Sequence, residues 1–282
     1  MAERIVEANG VELCTEAFGD PADPPVLLLM GVGASMLWWP DEFCRMLAGG
    51  GRFVIRYDHR DTGQSVAYEP GNPGYTGDDL VADAAGILDA HGIPAAHVVG
   101  LSMGGALAQL LALDHPDRIL SLVLMSTTFA GPSERELPPV TEEYASFSAT
   151  AEVDWSDPES VIAYVVEDSR ALAGNKAEFD EAGAHARATR DVERARNFAS
   201  VQNHGLLSGG ERDQVPSLVI PTLVIHGSAD PLFPLGHGKA LADEISGATL
   251  VVLEGAGHEL RQADWDTIVR AILGHTEGGN ER

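Results

Sequence analysis

Four runs of the chain, VLLLM at 26–30, FVIRY at 53–57, HVVGL at 97–101 and ILSLVLM at 119–125, are apolar almost without interruption. A strand with one wet face alternates apolar and polar residues, whereas runs like these suit strands covered on both faces, as in a parallel sheet. Helical stretches separate them: one opening near Pro40, one over about Thr76–His91 and one over about Met103–Asp114. In the second, Thr76 and Asp79 stand at near capping-box spacing, and Leu80, Ala84, Ile87 and Leu88 recur at the helical period. Alternating strands and helices predict an α/β protein with a mostly parallel, doubly wound sheet. Ahead of it, two alternating runs flank Asn9-Gly10, a dipeptide suited to a tight hairpin, so an antiparallel edge is expected first.

The alternation stops after Phe129. From 131 to 215 the chain is polar, without a convincing buried strand, and carries helical patterns such as PESVIAYVVEDSRALAG with Pro158 in a first turn. The sheet pattern resumes with TLVIH at 222–226, a helix near 235–246, TLVVL at 249–253 and a helix near 263–273. The expected division is a core of residues 1–130 and 216–282 around a helical cap of residues 131–215. The tail HTEGGNER is expected to fray.

Composition limits the partners. Of 282 residues, 18 are Lys or Arg and 43 are Asp or Glu, a formal charge of -25 that repels phosphate backbones and anionic lipid surfaces. Nucleic acid and membrane are therefore not expected as partners, and the oligomeric state is left open. No apolar run reaches the length of a membrane span, and the opening MAERIVEANGVELC lacks the apolar core of a signal peptide, so a cytoplasmic location is expected. Cys14 and Cys44 show no C-x-x-C spacing and read as reduced thiols; no metal site or cofactor is expected.

Chemistry enters with VVGLSMGGA at 98–106. G-x-S-x-G alone occurs by chance too readily to carry weight, but here it follows an apolar strand and opens an Ala- and Leu-rich helix. That is the setting that lifts a serine hydroxyl above a sheet, so Ser102 is the candidate nucleophile. A serine needs a base oriented by a third group. His258, in the glycine loop LEGAGHEL after the last strand, faces the strand ends, whereas His59, His115 and His226 read as local hydrogen-bonding residues. His204 in VQNHGLL reads as a capping or surface residue. Asp230 in IHGSADPLFP is the orienting acid, because the other plausible strand-end loop, STTFAG, holds no carboxylate. The order serine, acid, histidine is that of α/β-hydrolases. Oxyanion donors are expected from the backbone N–H of Met103 and, in the loop MGVGASMLWWP, of Val32.

With LLLMGVG, IRYDHRDTGQS, VVGLSMGG, PTLVIHGSADPLFP and GAGH, the chain resembles the α/β-hydrolase superfamily over nearly all its core. More narrowly, PADP, WPDEF, IRYDHRDTG, AHVVGLSMG, ALDHPDR and HGKALA resemble the aclacinomycin methylesterase group, which cleaves a carboxymethyl ester from anthracycline polyketides. The resemblance implies a cofactor-free serine ester hydrolase with Ser102, Asp230 and His258 as triad and Val32 and Met103 as amide donors. The chain departs from many relatives in having Met30-Gly31 for His-Gly and Arg60-Asp61 for Arg-Gly. No match extends into the cap, so the substrate reads as a small to medium, largely apolar ester, with a methyl ester of a polyketide among the candidates. Gly31, Trp38, Phe129, Phe147, Trp155, Phe198, Phe233 and Leu260 are the candidate pocket residues. Tyr144, Tyr164 and Phe179 are further aromatic candidates. A lactonase, enol-lactonase or cofactor-free perhydrolase would use the same triad, and a non-catalytic ligand receptor could share the fold.

Overall fold

A computed structural model describes residues 2–133, 135–174, 179–210, 212 and 217–277. The expected boundary between cap and core at 215–216, and the tail beyond 277, lie outside the described residues.

The first strands are β1 (Arg4–Ala8) and β2 (Val11–Phe18), joined at Asn9 and Gly10, whose φ angles of 47° and 73° form the tight turn that pairs Ala8 with Val11. The parallel strands follow: β3 (Pro25–Leu29), β4 (Phe53–Tyr57), β5 (Ala96–Leu101), β6 (Ile119–Met125), β7 (Thr222–Gly227) and β8 (Thr249–Leu253). They form one eight-stranded sheet in the order β1-β2-β4-β3-β5-β6-β7-β8. β2 runs antiparallel to both β1 and β4, and every later pairing is parallel.

Both faces are covered, which is why the strands read as apolar throughout. Leu27 and Leu29 share one core with Val98, Leu122 and Leu124, closed by α2 (Gly77–Ala90), α3 (Met103–Asp114) and α7 (Gly236–Glu244). Val26 and Leu28 point the other way, into a core closed by α1 (Asp41–Gly49) and α8 (Trp265–His275). Each fully buried Leu in these layers contributes about 1.5–3 kcal/mol through area removed from water. The start of α2 is fixed by a capping box, in which Thr76 Oγ1 accepts from Asp79 N–H and Asp79 Oδ2 accepts from Thr76 N–H.

Between β6 and β7 lie α4 (Glu142–Thr150), α5 (Pro158–Leu172), α6 (Glu181–Arg194) and a 3-10 stretch, Phe198–Leu206. Pro158 opens α5 behind the Asp157 cap, whose side chain accepts from Glu159 N–H. Ile162 and Val166 of α5 pack on Ala188 of α6 to form a separate small core.

Candidate active site

Chemistry-bearing residues collect in the loops beyond the carboxyl ends of β3, β5, β7 and β8, the edge where ligands bind in open α/β sheets. Ser102 follows β5 at once, with φ 55° and ψ -120°, a backbone shape that costs a non-glycine residue of order 1–3 kcal/mol. The surroundings hold it there. Ser102 N–H donates to the Met125 carbonyl at 2.9 Å, and the Ser102 carbonyl accepts from Thr127 Oγ1 at 2.8 Å and from Gly105 N–H at 2.9 Å. A Cβ on Gly100 would collide with the Gly104 carbonyl, and one on Gly104 with the carbonyl of Leu29, so the two motif glycines let helix and strands approach.

Asp230 and His258 meet after β7 and β8. His258 Nδ1 lies 2.8 Å from Asp230 Oδ2, while Asp230 Oδ1 accepts from the N–H groups of Leu232 and Phe233 at 2.9 and 2.8 Å. This carboxylate is buried and its orientation is fixed on three sides. With Nδ1–H directed at Asp230, Nε2 of His258 is the nitrogen left for another partner. Ser102 and His258 both line one cavity of about 690 Å³, without a direct hydrogen bond between them among the described residues. The glycines of the histidine loop serve close packing: His258 N–H donates to the Leu172 carbonyl at the end of α5 at 3.0 Å, and a Cβ on Gly257 would strike that same carbonyl.

Val32 lies in the cavity wall beside Gly31. Met103 opens α3, where first-turn N–H groups have no acceptor inside the helix, and its side chain packs on the core behind. Among the pocket candidates, Gly31, Trp38, Trp155, Phe198 and Leu260 line the cavity, together with Tyr144, Tyr164 and Phe179. Three others do not line it. Phe129 is buried in the core that α3 covers. Phe147 stacks on Tyr164 and packs at a tilt against Tyr144, both of which do line the cavity. Phe233 packs edge-on against His258, with ring centroids 5.6 Å apart. His204 is neither a helix cap nor a surface residue; it is buried, with Nδ1 accepting from Gly33 N–H at 2.9 Å and Nε2 donating to the Arg60 carbonyl at 2.8 Å.

Comparison with known proteins identifies the family. Residues 24–260 match the alpha/beta hydrolase fold family. The chain is 35% identical over 293 aligned positions to rhodomycin D methylesterase DauP of Streptomyces sp. (strain C5), covering 98% of each. It is 34% identical to rhodomycin D methylesterase DnrP of Streptomyces peucetius, again covering 98% of each. The esterase EaEST from Exiguobacterium antarcticum superposes with a TM-score of 0.78 at 20% identity, covering 97% of this chain and 99% of that one, a likeness of fold. The chain belongs to the α/β-hydrolase family. Within it, the chain sides with the methylesterase group it resembles in sequence, and it is a hydrolase of the carboxylesterase type.

The α/β-hydrolase core also explains one departure. Asp61, where many relatives have glycine, sits at φ 65°, a region Asp tolerates better than most residues. Its carboxylate accepts from Tyr68 N–H, Tyr75 Oη and Asn203 Nδ2, so a glycine's freedom is exchanged for three hydrogen bonds.

Polar residues of the cavity wall not singled out in the sequence include Asp168, Arg187, Gln202 and Glu259. Asp168 Oδ1 accepts from Tyr144 Oη at 3.0 Å, and burial raises its carboxyl above the ordinary range. The Arg187 guanidinium lies 4.9 Å from the Trp38 ring centre, a cation–π stack, and its buried Nε has no hydrogen-bond partner among the described residues. One signal was present: Tyr164, Val165, Asp168, Ser169 and Leu172 lie on one face of α5 at helical spacing, and all line the cavity. Among the described residues no cluster of three His, Cys, Asp or Glu could hold a metal ion, and no helix is long and apolar enough to cross a membrane.

Proposed function

We propose that the chain is a serine ester hydrolase acting through an acyl-enzyme, with Ser102 as nucleophile, His258 as proton carrier, Asp230 as its orienting acid, and the N–H groups of Val32 and Met103 as oxyanion donors. The observation that carries it is the His258–Asp230 hydrogen bond at 2.8 Å beside a cavity whose wall includes the strained Ser102. In this reading Ser102 Oγ attacks the ester carbonyl carbon while His258 Nε2 takes its proton. Negative charge on the carbonyl oxygen is met by the two amides. The C–O bond to the alcohol then breaks, the alcohol leaves with the proton held by His258, and the acyl group stays on Ser102. Water, deprotonated by His258, attacks the acyl carbon and frees the acid and Ser102.

Residues 131–215 act as a cap. The support is that α5, α6 and the 3-10 stretch contribute Tyr164, Asp168, Arg187 and Phe198, and the link before α6 contributes Phe179, to the wall of the cavity that contains Ser102. A volume of about 690 Å³ suits a drug-sized ligand better than a short-chain ester. Aromatic walls with a few polar groups, and the two methylesterase relatives, favour a methyl ester on a large ring system, with methanol as leaving group.

The test is active-site labelling with a fluorophosphonate, read by mass spectrometry, alongside methanol release from a panel of aromatic methyl esters. Wild type should be labelled on Ser102, and Ser102→Ala should lose label and at least about 10⁴-fold of the rate. An unlabelled wild type without turnover, or a Ser102→Ala enzyme of undiminished rate, would overturn the proposal.

A further inference from the structure

The loop after β3 is gripped from two sides by imidazoles. His59, fully buried and held neutral by desolvation with its pKa lowered to about 3, donates from Nε2 to the Met30 carbonyl at 3.1 Å. His204, from the 3-10 stretch some 170 residues later in the chain, accepts Gly33 N–H on Nδ1 at 2.9 Å. Between them Ala34 N–H reaches the Gly31 carbonyl, closing a four-residue turn in which Gly33 stands third with φ +68°. That φ marks a type II turn, and type I and type II turns differ by a flip of the central peptide, here Val32–Gly33. The His204 lone pair engages the N–H of that very peptide.

We propose that His204 is a positioning residue for the oxyanion loop: by accepting Gly33 N–H it fixes the Val32–Gly33 peptide and, with His59 on the Met30 carbonyl, pins both sides of the short segment that carries the Val32 amide, keeping that amide aimed at the substrate. The inference rests on the ester-hydrolase reading above, in which Val32 is a donor. Both imidazole nitrogens are assigned. Nε2–H donates to the Arg60 carbonyl at 2.8 Å, which leaves Nδ1 as the acceptor and requires the neutral ring. Its charged and titratable neighbours are the His59 ring, 6.3 Å away and edge-on, and the Asp61 carboxylate, which Asn203 Nδ2 ties to the same stretch at 2.9 Å.

The supporting chain is well anchored. Ser200 Oγ donates to the Tyr68 carbonyl at 2.5 Å, Asn203 Oδ1 accepts from Gly71 N–H at 2.7 Å, and the Val201 side chain lies over Gly33. Val201, Gln202 and Gly205 of this stretch also line the cavity. One segment therefore touches the space for substrate and sets the loop proposed to stabilise the transition state.

Two substitutions separate the acceptor from the donor of the imidazole. His204→Asn can place its amide oxygen where Nδ1 stands, whereas His204→Gln retains only a group at the Nε2 position. On p-nitrophenyl acetate, His204→Gln and His204→Ala should lose about tenfold or more in kcat with KM changed by less than about twofold, while His204→Asn recovers most of the loss. Affinity for phenylboronic acid, a mimic of the tetrahedral intermediate, should fall in parallel with kcat. A His204→Gln enzyme with wild-type kcat, or an Asn variant as slow as Ala at equal thermal stability, would overturn the inference. In the wild-type protein, ¹⁵N NMR should show His204 unprotonated at Nδ1 and protonated at Nε2 over about pH 6 to 8; the opposite tautomer would overturn it even where a variant fails to fold. Undiminished turnover by Ser102→Ala would instead count against the ester-hydrolase reading itself, so the two failures are told apart.

Discussion

Glu259 follows His258 in the chain and lines the same cavity, yet its Oε2 is buried with no hydrogen-bond partner among the described residues. Burial lifts this carboxyl from 4.5 to about 7, because a backbone hydrogen bond and the nearby Arg261 and His258 only partly compensate the ion for the water it loses. The folded state thus holds a proton that the unfolded chain releases near its ordinary pKa. Stability from this group is fully present below about pH 4.5 and is lost as pH rises through about 7. Glu259→Gln, uncharged at every pH, should therefore melt above wild type at about pH 8 and lose that advantage on acidification to about pH 4, read by thermal melts in matched buffers. An unchanged difference across that range would show that Glu259 is ordinarily solvated. Ser102, Asp230 and His258 could be picked out as candidates in the sequence because each sits a few positions past an apolar strand, and the structure brings Asp230 and His258 together beside the cavity that Ser102 lines. Phe129, Phe147 and Phe233 were misjudged as pocket residues because an aromatic side chain serves core and cavity alike, and only the fold decides which. Glu259 was missed because a carboxylate beside a histidine reads as solvated surface until burial is known.

At the scale of elements, the strands and the core helices followed from apolar period and caps, and β3 to β8 lie within a residue or so of their apolar runs. The attachment of the β6–β7 helices to the core was not legible, since it rests on contacts between residues well over a hundred positions apart. Arg194, the last residue of α6, reaches the fully buried Asp58 beyond β4 at 2.8 Å and Glu3 beside β1 at the same distance. Asp58 in turn accepts Met36 N–H and Gln64 N–H, so it gathers the β3 and β4 loops around one carboxylate. Burial raises the Asp58 carboxyl in spite of the guanidinium, so the ion depends on Arg194 to remain charged. Arg194→Met should cost about 3–5 kcal/mol, the range for stranding one partner of a buried pair. The double variant with Asp58→Asn should cost less than the sum of the singles, as urea unfolding of the four proteins would reveal. Strict additivity would mean that the pair carries no coupling and that α6 is held by packing alone.

The whole molecule carries a formal charge of -25 on 282 residues, and this sets how stability and substrate capture respond to salt. Like charges crowd together on folding, and their repulsion is screened as the Debye length falls from about 10 Å at 0.1 M to about 3 Å at 1 M. Salt also weakens the exposed ion pairs, such as Arg118–Asp89 and Arg135–Asp243, but pairs of this kind contribute only about 0–1 kcal/mol each. The repulsion of many uncompensated carboxylates should win. The melting temperature is therefore expected to rise with NaCl between low and roughly 0.5 M, by about 2–4 °C for each kcal/mol of repulsion relieved. A fall would assign the larger share to the ion pairs. The same field acts on substrate before any contact forms, since an acidic surface lowers the local concentration of anions and leaves neutral molecules unaffected. For two aromatic methyl esters differing only in a remote carboxylate, kcat/KM of the charged one should rise with salt and that of the neutral one should stay level. Equal salt dependence for the two would show that the charge lies away from the cavity mouth and that the walls of the cavity alone choose the ester.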